Sequence, residues 1–221
     1  MESKIKLSVR GSQQPNYPEG VDEQPQLNNR GEQIVVNGLP MLAQVVAAGN
    51  SYWASTTTAA TPVIVVPTTA ALIGLWNGEN DNGKSYIIDS VFAVFVANTA
   101  AIQGTGILVN VALQRVDTAL ANTITPRNLY STLGYRGKGR VAVGITLDAA
   151  NGIAANWVPW GASIAAQNTP QIGTVVEAPI NGAIVLPPKG QLALSVLAGA
   201  ATASSVQVGL RWHEVILPAV V

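Results

Sequence analysis

Every apolar run in this 221-residue chain is cut within strand length by Gly, Pro or Asn, and none approaches the roughly 18 residues that a membrane-spanning helix needs. With 21 glycines and 13 prolines as punctuation, a bundle of long helices is ruled out and many short strands are expected. A mean hydropathy of +0.29 comes from small and β-branched residues spread over these runs rather than from one greasy segment. The fold class expected is therefore all-β, an antiparallel sandwich or barrel with about eight to ten strands.

The final run is the clearest. From Ser205 to Leu217, Val206, Val208, Leu210, Trp212 and Ile216 fall on one parity, opposite Gln207, Arg211 and His213. That period of two belongs to a strand with one buried face. Gln191–Leu197 and Ala183–Leu186 flank a Pro187-Pro188-Lys189-Gly190 turn, and Ala71–Trp76 is a further strand-length run. Val63–Val66, ending at Pro67, reads the same way. Ser85–Ala97 is apolar on both parities, which predicts a strand buried on two sides. In Ile107–Val116, Ile107, Val109, Val111 and Leu113 are expected inward, with Asn110, Ala112 and Gln114 outward. Asn37-Gly38 between Ile34-Val35-Val36 and the Met41–Val46 cluster reads as a tight turn between apolar runs. Val141–Leu147 reads as a strand, and a short helix is expected near Asp117–Asn122. Asp148–Gly152 reads as a turn, and Trp157-Val158-Pro159-Trp160-Gly161 as an irregular aromatic stretch.

Charge is distributed unevenly. Of 24 Asp, Glu, Lys and Arg residues, nine lie in the first 32 positions, leaving a long, nearly uncharged body. Residues 1–33, rich in Gln, Asn, Pro and Glu, read as an extended N-terminal arm, with residues 34–221 as one sandwich domain. Zero net charge argues against nucleic acid as a partner, since phosphate neutralisation needs a cationic stripe. A body with so few charges lacks the mutual repulsion that keeps monomers apart, so a homo-oligomer is expected. The start of the chain has no apolar stretch of signal-peptide length, so synthesis in a cytoplasm and no membrane span are expected.

Little points to catalysis. Without cysteine there is no thiolate nucleophile or thiolate-bound zinc, and the single histidine, His213, denies a site built on paired imidazoles. A Ser-His-Asp arrangement is formally available, but no nucleophile-elbow motif accompanies it, and His213 reads as a surface or interface residue. Asp89, Glu177 and Glu214 are the strand-borne acids for paired-carboxylate chemistry. Asp89 and Glu214 are each expected to face a partner Arg or a subunit boundary, Arg211 being one such partner. The expectation is no enzyme, no cofactor and no metal. Candidate contact residues are Arg10, Tyr17 and Arg30 in the arm, the basic cluster Arg136, Lys138 and Arg140 at a solvated hairpin tip, and Trp157 and Trp160 as an exposed aromatic spot.

Two segments carry a resemblance. Ile184–Pro218, with its Leu-Pro-Pro-x-Gly turn, apolar strand, small-residue loop and strand ending in Trp-His-Glu, resembles the closing strands of head decoration proteins of tailed bacteriophages. Arg30–Thr56, with RGEQIVVNGLP and NSYWAST, is similar to such proteins too, and together the segments cover roughly a quarter of the chain. The resemblance implies a jelly roll on a capsid surface, a trimer, the major capsid protein as partner, and a virion location. Two other readings stay open: a carbohydrate- or receptor-binding module using Trp157 and Trp160, and a single-jelly-roll major capsid protein.

Overall fold

A computed structural model of the protein describes residues 41–98, 105–113, 123–145, 157–164, 173, 175–198 and 204–217. Residues 1–40 lie outside that set, so the expected arm, the Asn37-Gly38 turn, the short helix and the Asp148–Gly152 turn fall outside the described residues.

The chain enters the body through α1 (Met41–Ala47). Then come β1 (Ser51–Ser55), β2 (Ile73–Trp76), β3 (Ser85–Asn98) and β4 (Thr105–Leu113). The short β5 (Thr123–Ile124), β6 (Arg127–Asn128) and β7 (Arg140–Val143) precede β8 (Trp157–Ile164). β9 (Val175–Pro179), β10 (Val185–Leu186), β11 (Gly190–Ala198) and β12 (Ser204–Val215) close the fold.

All named pairings are antiparallel and form two sheets. One runs β10-β3-β12-β1-β6, with β9 pairing further along the same β3; the other runs β5-β7-β2-β11-β4-β8. When β9 and β10 are counted as one interrupted strand, the eight principal strands stand first-eighth-third-sixth and second-seventh-fourth-fifth. That order is a jelly roll. β5, β6 and β7 arise between β4 and β8 and extend the sheets beyond β1 and β2.

The core lies between the sheets and is built by the alternation of β12. Val206, Val208, Leu210 and Trp212 are fully buried, against Ile73, Leu75, Leu192, Leu194 and Val196 of the other sheet. Ile216, expected on that face, lies past the end of β12 and is exposed.

β3 departs from simple alternation at a β-bulge. Arg211 pairs with Ser90 and Trp212 with Ile88, so Asp89 is an extra residue and the inward set switches from Tyr86 and Ile88 to Val91, Ala93 and Phe95. The other side of β3 is half-buried at Phe92, Val94 and Val96, so the strand is sealed on one face only. The freed Asp89 carbonyl accepts the Ile180 and Asn181 amides at 2.8 and 2.9 Å, at the break between β9 and β10.

Other expectations are corrected. The Met41–Val46 cluster, to which the sequence assigns no element, lies in a helix, Met41–Ala47; it stops in a Schellman pair, Asn50 N–H to Val45 O at 3.2 Å and Gly49 N–H to Val46 O at 2.9 Å. Val63–Val66 is not a strand: only Val63 bridges to Leu197, and Ile64, Val65 and Val66 stand exposed beyond it. In β4, Leu108 and Asn110 are buried as well as Ile107 and Val109, while Val111 is exposed. Trp157–Ile164 is a strand, paired in register with β4 over Trp157–Trp160 and shifted beyond it, and Pro159 is tolerated because β8 is the last strand of its sheet.

Candidate functional site

Most of the body's described ionisable groups gather toward one end of the sandwich, where β3 begins and β12 ends. Glu214 shares the inward parity of Trp212, two residues before it; Tyr86 pairs across from Glu214 and Tyr52 across from Trp212. The alternation that builds the core thus delivers a carboxylate into it, with a side chain that is 0% exposed.

The aromatic rings form its walls. Tyr52 meets Tyr135 edge-on at 4.9 Å between ring centroids, and Trp212 lies 5.9 Å from Tyr52 and 6.5 Å from Tyr86. Lys84 brings its ammonium to 3.4 Å from Glu214 Oε2. The Tyr135 hydroxyl lies 3.0 Å from the Gly139 carbonyl and 3.4 Å from Glu214 Oε1, with one proton for the two acceptors. The Tyr52 and Tyr86 hydroxyls and the Trp212 indole N–H are buried with no protein partner of good geometry, although each lies near a polar neighbour. Those neighbours are the Arg136 backbone, Tyr135 with the Lys138 backbone, and Glu214 itself, respectively.

Burial pushes the Glu214 carboxyl above the usual carboxylate range, and the Lys84 ammonium opposes that rise in part. Burial, reinforced by the nearby Glu214 charge, also pushes the Tyr52 and Tyr86 hydroxyls up. Tyr135 rises for the same first reason, with Tyr86 next to it as the second.

A strap from Tyr135 to Arg140 closes this end, and its glycines are needed for close approach. A Cβ on Gly137 would collide with Glu214 Oε1, and one on Gly139 would lie 2.6 Å from Tyr86 Cε2. Asn77, fully buried, ties the neighbouring loops together: its side-chain amide donates to Lys84 O at 2.9 Å and Leu186 O at 3.0 Å, and its own oxygen accepts the Glu79 amide.

This geometry changes the reading of several residues. Arg136, Lys138 and Arg140 are exposed but flank the glycines of a strap over a buried acid rather than forming a hairpin tip, and Lys138 sits 3.5 Å from Glu79. His213 is not a surface residue. It is 3% exposed, and its Nδ1 lies 2.8 Å from Asp89 Oδ1, the acid presented by the bulge. Arg211 pairs with neither Asp89 nor Glu214 but with Glu177 at 2.8 Å, where Ser90 also donates at 3.1 Å. Each of the three candidate acids thus has a different partner: Asp89 with His213, Glu177 with Arg211, and Glu214 with Lys84.

Trp157 and Trp160 do not make one platform. Three residues apart on a strand, they face opposite sides: Trp160 packs on the main core and donates to Pro179 O at 3.3 Å, while Trp157 packs on the Ala71, Ala142, Ile145 and Ala193 cluster and donates to Pro67 O at 2.8 Å. Arg10, Tyr17 and Arg30 lie outside the described residues. Asn77 and Tyr135 were missed as site residues because each sits in a stretch without periodicity; only the glycine pair beside Tyr135 hinted at close packing.

Among the described residues, no cluster of three or more potential metal-binding side chains occurs, and no helix is long and apolar enough to cross a membrane. No protein-family model and no curated protein matches the chain. Among solved structures, one described as turnip yellow mosaic virus aligns with 90% of this chain and 95% of its own at 10% identity, with a TM-score of 0.19. The two backbones do not superpose at that score, so the jelly-roll assignment stands on strand pairing alone.

Proposed function

We propose that this protein is a non-enzymatic structural component of a virion, a jelly-roll body that self-associates and is tied by its N-terminal arm to a capsid shell. The observation that carries the reading is the pairing of a jelly-roll strand order with a body whose surface carries clustered exposed apolar side chains. Of the five described carboxylates, Glu79, Glu177 and Glu214 have cationic partners and Asp89 meets the His213 ring, while Ile64 and Val65 are 64% and 68% exposed and Val111, Val158 and Val175 also face solvent. Apolar area of this kind yields about 25 cal/mol per Å² when buried between subunits.

The finer assignment is attachment to the shell of a tailed phage as a decorating or cementing trimer, with the major capsid protein as partner. The resemblance of Ile184–Pro218 and Arg30–Thr56 to head decoration proteins supports it. The carbohydrate-binding alternative loses its motive, since Trp157 and Trp160 face opposite sides of β8. Deleting residues 1–32 tests the proposal. Truncated protein that keeps its oligomer by light scattering but no longer sediments with purified capsids is the expected outcome; full co-sedimentation refutes the arm, and a stable full-length monomer at high concentration refutes self-association.

A further inference from the structure

Glu214 and Lys84 are an unusual pair to leave as a simple salt bridge. The carboxylate has no contact with solvent, among the described residues one cation approaches it within salt-bridge distance, and three buried N–H and O–H groups around it lack good partners. A buried pair so incompletely hydrogen-bonded does not recover its desolvation cost by Coulomb attraction. The same arrangement suits a chemical reaction between the two groups. Nζ stands 3.4 Å from the carboxyl oxygen, inside the range in which proximity raises effective molarity by many orders of magnitude. Burial favours the neutral acid form of Glu214, the form that an amine attacks. Lys84, with 31% of its side chain exposed, also keeps an outlet to solvent.

We propose that Lys84 and Glu214 condense into an intramolecular amide that crosslinks the start of β3 to the end of β12. A proton passes from the Lys84 ammonium to the Glu214 carboxylate, leaving a neutral amine and a neutral acid. The Nζ lone pair attacks Cδ, and the electron pair of the C=O bond moves onto Oε1, beside the Tyr135 hydroxyl. The Trp212 indole N–H and the Tyr86 hydroxyl are the other buried donors near this charge. The carbonyl re-forms as the bond from Cδ to Oε2 breaks; Oε2, carrying its own proton and one from the attacking nitrogen, leaves as water. Ammonium plus carboxylate thus become a secondary amide plus one water, with net charge unchanged and no oxidant or cofactor involved.

The link joins adjacent strands through residues 130 positions apart, and so closes most of the body into a covalent ring. The test is the intact mass of full-length protein, folded, purified and then denatured. The expected mass is one water below the sequence mass, with a tryptic fragment in which the peptides containing Lys84 and Glu214 are joined. Lys84→Arg restores the full sequence mass, and Glu214→Gln loses one ammonia instead of one water. Tyr135→Phe leaves a slowly converting mixture of linked and unlinked chains. Wild-type protein at full sequence mass, with both peptides recovered separately, overturns the proposal and leaves a plain ion pair. Because the wild-type mass decides, failure of any variant to fold does not blunt the test.

Discussion

Gly139 shows how much one missing Cβ carries at the residue scale. Its backbone rests on the Tyr86 ring and its carbonyl accepts the Tyr135 hydroxyl, so any side chain must push the strap off the aromatic cage. Gly139→Ala should cost about 1–3 kcal/mol, the usual penalty of overpacking a well-filled site, read as a lower denaturation midpoint in urea with an unchanged slope. The tyrosines beneath the strap set a second expectation. Tyr52, Tyr86 and Tyr135 all hold their protons more tightly folded than unfolded, chiefly through burial. An unfolded tyrosine ionises near pH 10; the stability these groups contribute is therefore complete below about pH 10 and drains away above it, by about 1.4 kcal/mol per pH unit for each hydroxyl still protonated in the fold. Absorbance titration should show phenolate from these three appearing only together with loss of the folded far-ultraviolet signal. Their early ionisation in folded protein counts against a closed cage.

The bulge at Asp89 matters most at the scale of elements, because it does two things at once. It turns the inward parity of β3 over in mid-strand, and it presents a carboxylate to His213 on the neighbouring strand. Asp89→Ala leaves a buried imidazole without its partner and should cost about 1–3 kcal/mol, whereas Asp89→Asn, which keeps a hydrogen-bonding oxygen, should cost less; equal losses in equilibrium unfolding would mean that the Asp89–His213 contact contributes nothing. Sequence made most of the strands legible but not this device. The alternation of β12 and the Pro187–Gly190 turn were visible because period and turn chemistry are local. Asp89 looked like a lone acid in an apolar run, because a bulge is defined by the partner strand's register, which no single-strand pattern contains. The same reasoning separates Val63–Val66 from a strand. Its residues are as β-prone as any in the chain, yet a strand needs a partner along its length, and beyond Val63 the described residues supply none. The strap reads in sequence as a solvated hairpin tip, whereas the role of its glycines is contact, which depends on Glu214 arriving from the far end of the chain.

At the scale of the whole molecule, the contrast is between carboxylates that mostly have partners and apolar side chains that stand exposed without any. Glu214 is enclosed, and Asp89 and Glu177 are occupied by His213 and Arg211. Meanwhile Ile64, Val65 and Val66 stand clear of the surface between Pro62 and Pro67, where β1 hands over to β2. Val111 and Val158 form a second exposed pair, on one face of β4 and the terminal strand β8. A body of this composition exposes these groups to water as a monomer and removes them from it in an assembly, so the contiguous triplet is where subunit contact should contribute most. Val65→Asp should shift the purified protein toward smaller species by light scattering, because the new carboxylate would have to be desolvated at the interface. It should leave the urea midpoint of an already dissociated sample nearly unchanged, since the position is largely exposed in the isolated fold. Val158→Asp serves as the comparison: if it alone dissociates the protein, the contact runs along the β8 edge and not through the loop between the prolines. If neither substitution alters the particle size, the exposed valines and isoleucine are not what holds the subunits together.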